Sequence, residues 1–256
     1  MEDLPPAAGR AHREPGRRAD PRSQGRGLHH AGARRLKTAL VTGAARGIGR
    51  ATADVLRQAG CKVIGLDREQ CDVVYDLSEV AGIARLVERL GEIDILVNNA
   101  GVQTAVSIDR YSDEARQRIL AVNLEAPVEL IRAVSKGMAQ RKQGRIVNLA
   151  SVAAYTAHTD LWYGVTKAGV VSFTRSFAAL LGPQGIQVNA VAPGPIDTPL
   201  LDRAQPERVQ ELMTRVYTRR KGRPEEVAEA IRWLALDAPP IINGAVLDVT
   251  DGSFLR

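Results

Sequence analysis

The chain has 256 residues, 45% of them hydrophobic and 25% charged, the balance of a soluble globular protein with room for one sizeable core. No apolar run nears the roughly 20 residues of a membrane span. Its two cysteines, Cys61 and Cys71, fit neither a disulfide framework nor a Cys-x-x-Cys pair, so a cytoplasmic protein with no membrane partner is expected. The net charge of +6 suggests a nucleic-acid partner, but the charge is concentrated. Residues 1–37 carry eight Arg and one Lys against Glu2, Asp3, Glu14 and Asp20, a net of +5, which leaves +1 for the other 219. The folded body therefore has no basic excess, and no nucleic-acid partner is expected for it.

Residues 1–36 form a leader rich in Arg, Gly, Pro and Ala, without helical or strand period. Such a segment buries too little surface to offset its ordering entropy and is expected to be disordered. A transit peptide fits poorly, with four acids and one serine; a nucleic-acid arm and an upstream start codon remain open. Residues 37–256 form the expected single domain. Thr38–Val41 is a short apolar run that ends at Thr42-Gly43, and Ile48–Gly60 has helical spacing closed by glycine. Lys62–Asp67 and Val73–Tyr75 are strand-like, Val80–Leu90 an amphipathic helix, and Ile93–Val97 a fourth strand. A long helical stretch, Ser112–Arg141, precedes strand Arg145–Leu149. Then come helix Tyr163–Leu181, strand Ile186–Val191, helix Glu225–Asp237 and strand Ala245–Val249. Strands alternating with helices, the strands continuously apolar, predict a doubly wound parallel α/β sheet covered on both faces.

The first strand-to-helix turn reads Thr42-Gly43-Ala44-Ala45-Arg46-Gly47-Ile48-Gly49. Glycines there let the backbone turn tightly and approach a pyrophosphate at the positive end of the next helix. Asp67 ends the second strand, where a carboxylate accepts from ribose hydroxyls and repels a 2′-phosphate. That favours NAD over NADP as cofactor, although Arg46 and Arg68 are placed to pair with a 2′-phosphate. Tyr163 and Lys167 are four apart on a helix and share a face. A free tyrosine is too weak an acid to serve near neutrality, and an ammonium one turn away favours its phenolate. Tyr163 can then take or give the proton of an alcohol. Ser151 follows the fifth strand, at the carboxyl edge where open α/β sheets bind ligands, and can hold the substrate oxygen.

These motifs, with Asn98-Asn99-Ala100-Gly101, Asn123, Tyr163-Gly164-Val165-Thr166-Lys167 and Pro193-Gly194-Pro195-Ile196-Asp197-Thr198, have the order and spacing of the short-chain dehydrogenases/reductases. The resemblance covers about Lys37 to Gly252. It implies a Rossmann-like fold with seven parallel strands and an NAD(P)-dependent oxidoreductase of secondary alcohols and ketones. It implies catalytic Asn123, Ser151, Tyr163 and Lys167, with Asn123 anchoring a water that relays protons to Lys167. It places Gly43, Arg46, Gly47, Ile48 and Gly49 at the pyrophosphate, Asp67 at the ribose and Asp76 with Leu77 at the adenine. Asn99, Ala100 and Gly101 line the floor, Tyr163 and Lys167 hold the nicotinamide ribose, and Pro193, Ile196 and Thr198 flank the carboxamide. Asn98 reads as a structural strand-to-strand link. A homotetramer is implied as well.

Ser151 to Tyr163 is 12 residues where many relatives have 13, the segment Arg68–Asp72 is too short for the usual helix, and Val249–Ser253 replaces a common double glycine. The substrate is expected against Val152–Trp162, Val102–Thr104 and the loop Leu200–Arg220. Trp162 reads equally as pocket wall or core, His158 as exposed, and the basic run Arg215–Arg223 as solvated surface, with Arg220 structural. An NAD-linked dehydrogenase of a small alcohol is the leading reading, an NADPH-dependent carbonyl reductase such as a 3-oxoacyl reductase the alternative. A non-catalytic dinucleotide sensor is disfavoured by the intact four-residue set.

Overall fold

The computed structural model describes residues 35–104, 110–203 and 206–255. The leader reading lies outside the described residues. Seven strands, β1 Thr38–Thr42, β2 Lys62–Asp67, β3 Val73–Val74, β4 Ile95–Asn98, β5 Gly144–Leu149, β6 Ile186–Pro193 and β7 Val246–Val249, form one sheet. Its order is β3-β2-β1-β4-β5-β6-β7, and every pairing is parallel. The chain runs outward from β1 to β3, then crosses back to β4 on the other side of β1. That reversal opens a crevice at the carboxyl ends of β1 and β4.

Alternation along the strands divides the core in two. Leu40, Leu66, Leu96, Ile146 and Val188 point to the face covered by α2 (Ile83–Leu90), α4 (Ala126–Gln140) and α5 (Leu161–Leu181). Ala39, Val41, Ile95, Val97, Val147 and Val191 point to the face covered by α1 (Gly47–Gln58) and α7 (Pro224–Leu236). Burial on both faces is why these strands read as apolar runs. Between β2 and β3 there is no helix; the Asp72 carboxylate instead accepts from the Gly65 N–H at 2.8 Å and closes the short link.

The long helical stretch Ser112–Arg141 is present as α3 (Asp113–Leu120), a π-turn (Ala121–Glu125) and α4 in unbroken succession. One expectation is corrected. The substrate-side segment Leu200–Arg220, read as a loop, contains α6 (Pro206–Arg215). Its signal was present: Pro206 sits in the first turn, and Val209, Leu212, Met213 and Val216 keep helical spacing.

A buried amide chain joins sheet to helix. Asn98 Nδ2 donates to Asn148 Oδ1 at 2.9 Å, Asn148 Nδ2 to Thr174 Oγ1 at 3.0 Å, and Thr174 Oγ1 to the Val170 carbonyl at 2.7 Å. Asn98 is thus the strand-to-strand link expected of it. Asn148→Ala orphans Asn98 Nδ2, each such buried group costing roughly 1–3 kcal/mol. A denaturant midpoint clearly below wild type checks this; an unchanged midpoint would show the chain carries no stability.

Candidate active site

A cavity of about 700 Å³ opens at the carboxyl edge of the sheet. Its outer end is built on the β1–α1 turn. Gly43 and Gly47 have φ of +67° and +56°, and a Cβ on Gly43 would lie 2.8 Å from Asn99 Nδ2. Gly49, expected at the pyrophosphate, is not part of the cavity wall; a Cβ there would run into the Gly43 carbonyl, so this glycine lets helix and turn pack together. Helix α1 starts at Arg46 without any side-chain cap and without an acid in its first turn. Its leading N–H groups and positive dipole end therefore face the cavity, the arrangement that holds a phosphate. The Asp67 carboxylate is pinned beside the turn, accepting from the Ala45 N–H at 3.0 Å and the Arg68 N–H at 2.7 Å.

Asp76, Leu77, Asn99, Ala100 and Gly101 line the same end, as do Arg46 and Ile48. Burial pushes the Asp76 carboxyl up, but hydrogen bonds from Ser78 and Arg118 outweigh it and hold it below its ordinary range. Arg118, 3.2 Å from Asp76, also lines the cavity. The sequence carries no sign of this partner 42 residues away.

At the inner end stand Ser151, Tyr163 and Lys167; Pro193, Ile196 and Thr198 also line the cavity, Thr198 beside Gly47 of the α1 turn. The uncovered turn after β5 presents Ser151, and α5 presents the other two on one face, both buried. Lys167 Nζ donates to the Leu149 carbonyl at 2.7 Å and lies 5.6 Å from the centre of the Tyr163 ring. Ser151 Oγ accepts from the Ala153 N–H at 3.1 Å and stands beside the Tyr163 hydroxyl. Burial pushes that hydroxyl up to about 12; Ser151 pulls it down and the Asp160 charge pushes it further up. Burial alone takes Lys167 down to about 8. The expected easing of Tyr163 by Lys167 is thus overridden in the dinucleotide-free protein, because both groups are dry and neither gains from ionising alone.

Asn123 does not line the cavity. It sits behind the floor in the π-turn, its Oδ1 accepting from the Val102 N–H and its Nδ2 donating to the Val102 carbonyl, both at 2.9 Å. Nδ2 also reaches Thr166 Oγ1 at 3.1 Å. Between it and the lysine lies Gly101, where a Cβ would be 3.5 Å from Lys167 Nζ and 3.6 Å from Asn123 Oδ1. Trp162 packs on Ile119, Ala153 and Tyr163, the core alternative. His158, read as exposed, lines the cavity with its ring 5.0 Å from that of Tyr163. Gln103, Asp160, Leu200, Leu201 and Leu212 complete the substrate side. The basic run is paired: Arg220 grips Glu226 at 2.7 and 2.8 Å, Lys221 reaches Asp197 at 3.0 Å, and Arg215 reaches Glu211 at 3.1 Å.

Residues 43–253 match a family model described as enoyl-(acyl carrier protein) reductase. The 3-oxoacyl-(acyl-carrier-protein) reductase of Vibrio cholerae is 34% identical over 86% of this chain and 98% of its own length. The chain belongs to the short-chain dehydrogenase/reductase family. It is a nicotinamide-dependent oxidoreductase. Solved members of the family superpose closely. A 3-oxoacyl-(acyl-carrier protein) reductase from Brucella melitensis with bound NAD gives a TM-score of 0.79 at 31% identity, over 88% of this chain and 93% of that one. A gluconate 5-dehydrogenase from Burkholderia cenocepacia, in complex with NADP and tartrate, gives 0.78 at 31% identity, over 85% and 94%.

The buried pair leaves a signature in stability. Below pH 8 Lys167 is protonated in both folded and unfolded chains, and burying the ammonium costs in full. Between 8 and its ordinary 10.5 the unfolded chain binds the extra proton, so stability rises with pH. Tyr163 acts oppositely: above its ordinary 10 the unfolded hydroxyl ionises first, and stability falls toward 12. Lys167→Met removes the first effect. The difference in unfolding free energy between variant and wild type, without dinucleotide, is expected to shrink by up to about 3 kcal/mol from pH 8 to 10.5. A pH-independent difference would contradict the buried, depressed lysine.

Proposed function

We propose that the chain interconverts a secondary alcohol and its ketone, with NAD as the preferred dinucleotide. The observation that carries this reading is the convergence of Ser151, Tyr163 and Lys167 at one end of a cavity whose other end is the uncapped N-terminus of α1. The first turn of α1 holds the pyrophosphate, Asp67 the adenosine ribose, Asp76 and Leu77 the adenine, and Pro193, Ile196 and Thr198 the carboxamide side. Tyr163 and Lys167 hold the nicotinamide ribose. When bound, the nicotinamide takes or delivers the hydride, and its positive oxidised ring favours the tyrosine phenolate.

The proton is the chain's own task. In oxidation the Tyr163 oxygen takes the O–H proton of the alcohol while Ser151 holds that oxygen; in reduction the transfer runs backward. Lys167 passes the proton on past Gly101, and Asn123 holds that side of the floor by fastening Val102 and Thr166. The pinned Asp67 carboxylate supports NAD, since a 2′-phosphate would stand beside another anion there. A second reading, NADPH-linked reduction of a 3-oxoacyl group, is favoured by Arg46 and Arg68 at the same end of the cavity, neither with an ion-pair partner among the described residues. We also propose a homotetramer, to which the exposed Val165 and Leu180 on α5 and Leu247 on β7 lend support; a monomer mass by light scattering would contradict it.

Fluorescence titration of the full chain with NADH and NADPH, followed by turnover on small secondary alcohols, gluconate and a 3-oxoacyl thioester, tests both readings. NADH is expected to bind more tightly, and Asp67→Ala to narrow the gap; tighter NADPH binding would transfer the reading to the reductase. Tyr163→Phe is expected to lower kcat by about 10²–10⁴-fold while NADH affinity holds. Unchanged kcat would remove Tyr163 from the chemistry.

A further inference from the structure

Asp160 is 2% exposed, lines the cavity and precedes the helix that carries Tyr163. Its Oδ1 caps α5 by accepting from the Tyr163 N–H at 3.1 Å, and also accepts from the Tyr111 hydroxyl. Its Oδ2 accepts from the Thr104 N–H at 2.7 Å and the Thr104 hydroxyl at 2.9 Å. Among the described residues two groups approach each oxygen, and the Thr104 hydroxyl is shared between Asp160 Oδ2 and the Tyr111 hydroxyl, 2.7 Å away. The partners come from three places in the chain: the segment after β4, the approach to α3, and the first turn of α5. A cap needs only one of these bonds.

We infer that Asp160 is a positioning residue, one carboxylate that fastens Thr104, next to the cavity-lining Gln103, and Tyr111 to the start of α5, and so fixes the Tyr163 hydroxyl relative to the segment that follows β4. The assignment rests on the proposed role of Tyr163. Among the described residues, the charged and titratable groups facing Tyr163 are Lys167 one turn along α5, Asp160 before it and His158 from the turn ahead, with Ser151 beside its hydroxyl and Ile119 packed on it from α3. Asp160 is the anion in this described set. Its burial is outweighed by its hydrogen bonds, so it stays ionised, and its charge opposes formation of the phenolate. The clasp therefore fixes geometry at the cost of a less acidic tyrosine.

Asp160→Ser separates clasp from cap, because a serine caps the helix but cannot hold Thr104 and Tyr111 as well. Asp160→Asn keeps the shape with fewer acceptors and guards against a folding defect in the first variant. Each full-length variant is compared with wild type by hydrogen exchange, by NADH fluorescence titration, and by tyrosinate absorbance against a matching Tyr163→Phe protein. Exchange at the Thr104 amide is expected to rise about tenfold or more while the α5 amides stay protected. The Tyr163 titration is expected to move to lower pH, since the variants remove a negative neighbour. Unchanged Thr104 exchange with an unmoved tyrosine titration, in either variant, would overturn the clasp. Absence of NADH binding by the wild type would instead sink the functional reading, leaving the exchange result to decide the clasp alone.

Discussion

The site depends on one junction, where β1 and β4 end side by side and the sheet reverses its order. Thr42 Oγ1 donates to the Val97 carbonyl at 3.3 Å and accepts from the N–H groups of Asn99 and Ala100 at 3.1 and 3.0 Å. Asn99 Nδ2 returns the link, donating to the carbonyls of Thr42 and Gly43 at 2.8 and 3.2 Å. These bonds satisfy backbone groups that the parted strands would leave bare, and they hold the glycine turn against the floor of the cavity. Everything downstream is placed relative to this joint. The first turn of α1 faces outward from it, Gly101 continues the floor toward Lys167, and Asn123 fastens that floor from behind.

The inner end shows how the same fold prepares chemistry. Burial disfavours both the phenolate of Tyr163 and the ammonium of Lys167 when the dinucleotide is absent. Ionising the tyrosine therefore calls for added positive charge within the cavity, which couples proton transfer to dinucleotide occupancy. Ser151 and Asp160 act on the same hydroxyl in opposite directions, the nearby serine easing its ionisation and the aspartate charge opposing it.

Much of this was legible in the sequence, because the strand runs, the glycine turn and the Tyr163–Lys167 spacing each obey a local rule. The alternation of buried faces followed from apolar runs, and all the catalytic candidates except Asn123 line one cavity. The π-turn at Asn123 runs straight into Pro127 in the first turn of α4, a proline whose missing N–H was the local sign of a break in helical period. What the sequence hid has physical causes. Arg118 and Asp160 act through partners 42 to 56 residues distant, which no local pattern reveals. His158 looked exposed because polar loop residues usually are, yet the turn ahead of α5 folds its ring onto Tyr163. Gly49 looked like a phosphate contact because it shares a motif with residues that line the cavity, although its role is to let two backbones meet.

The proposed dinucleotide occupies one cavity, from the α1 turn to the Tyr163–Lys167 pair. Hydrogen exchange of the full chain with and without saturating NADH tests it most directly. Slowed exchange confined to Gly43–Gly49, Asn99–Gly101, Leu149–Ser151 and Pro193–Thr198 is the predicted result. Protection absent from the Gly43–Gly49 turn, or centred elsewhere on the chain, would contradict it.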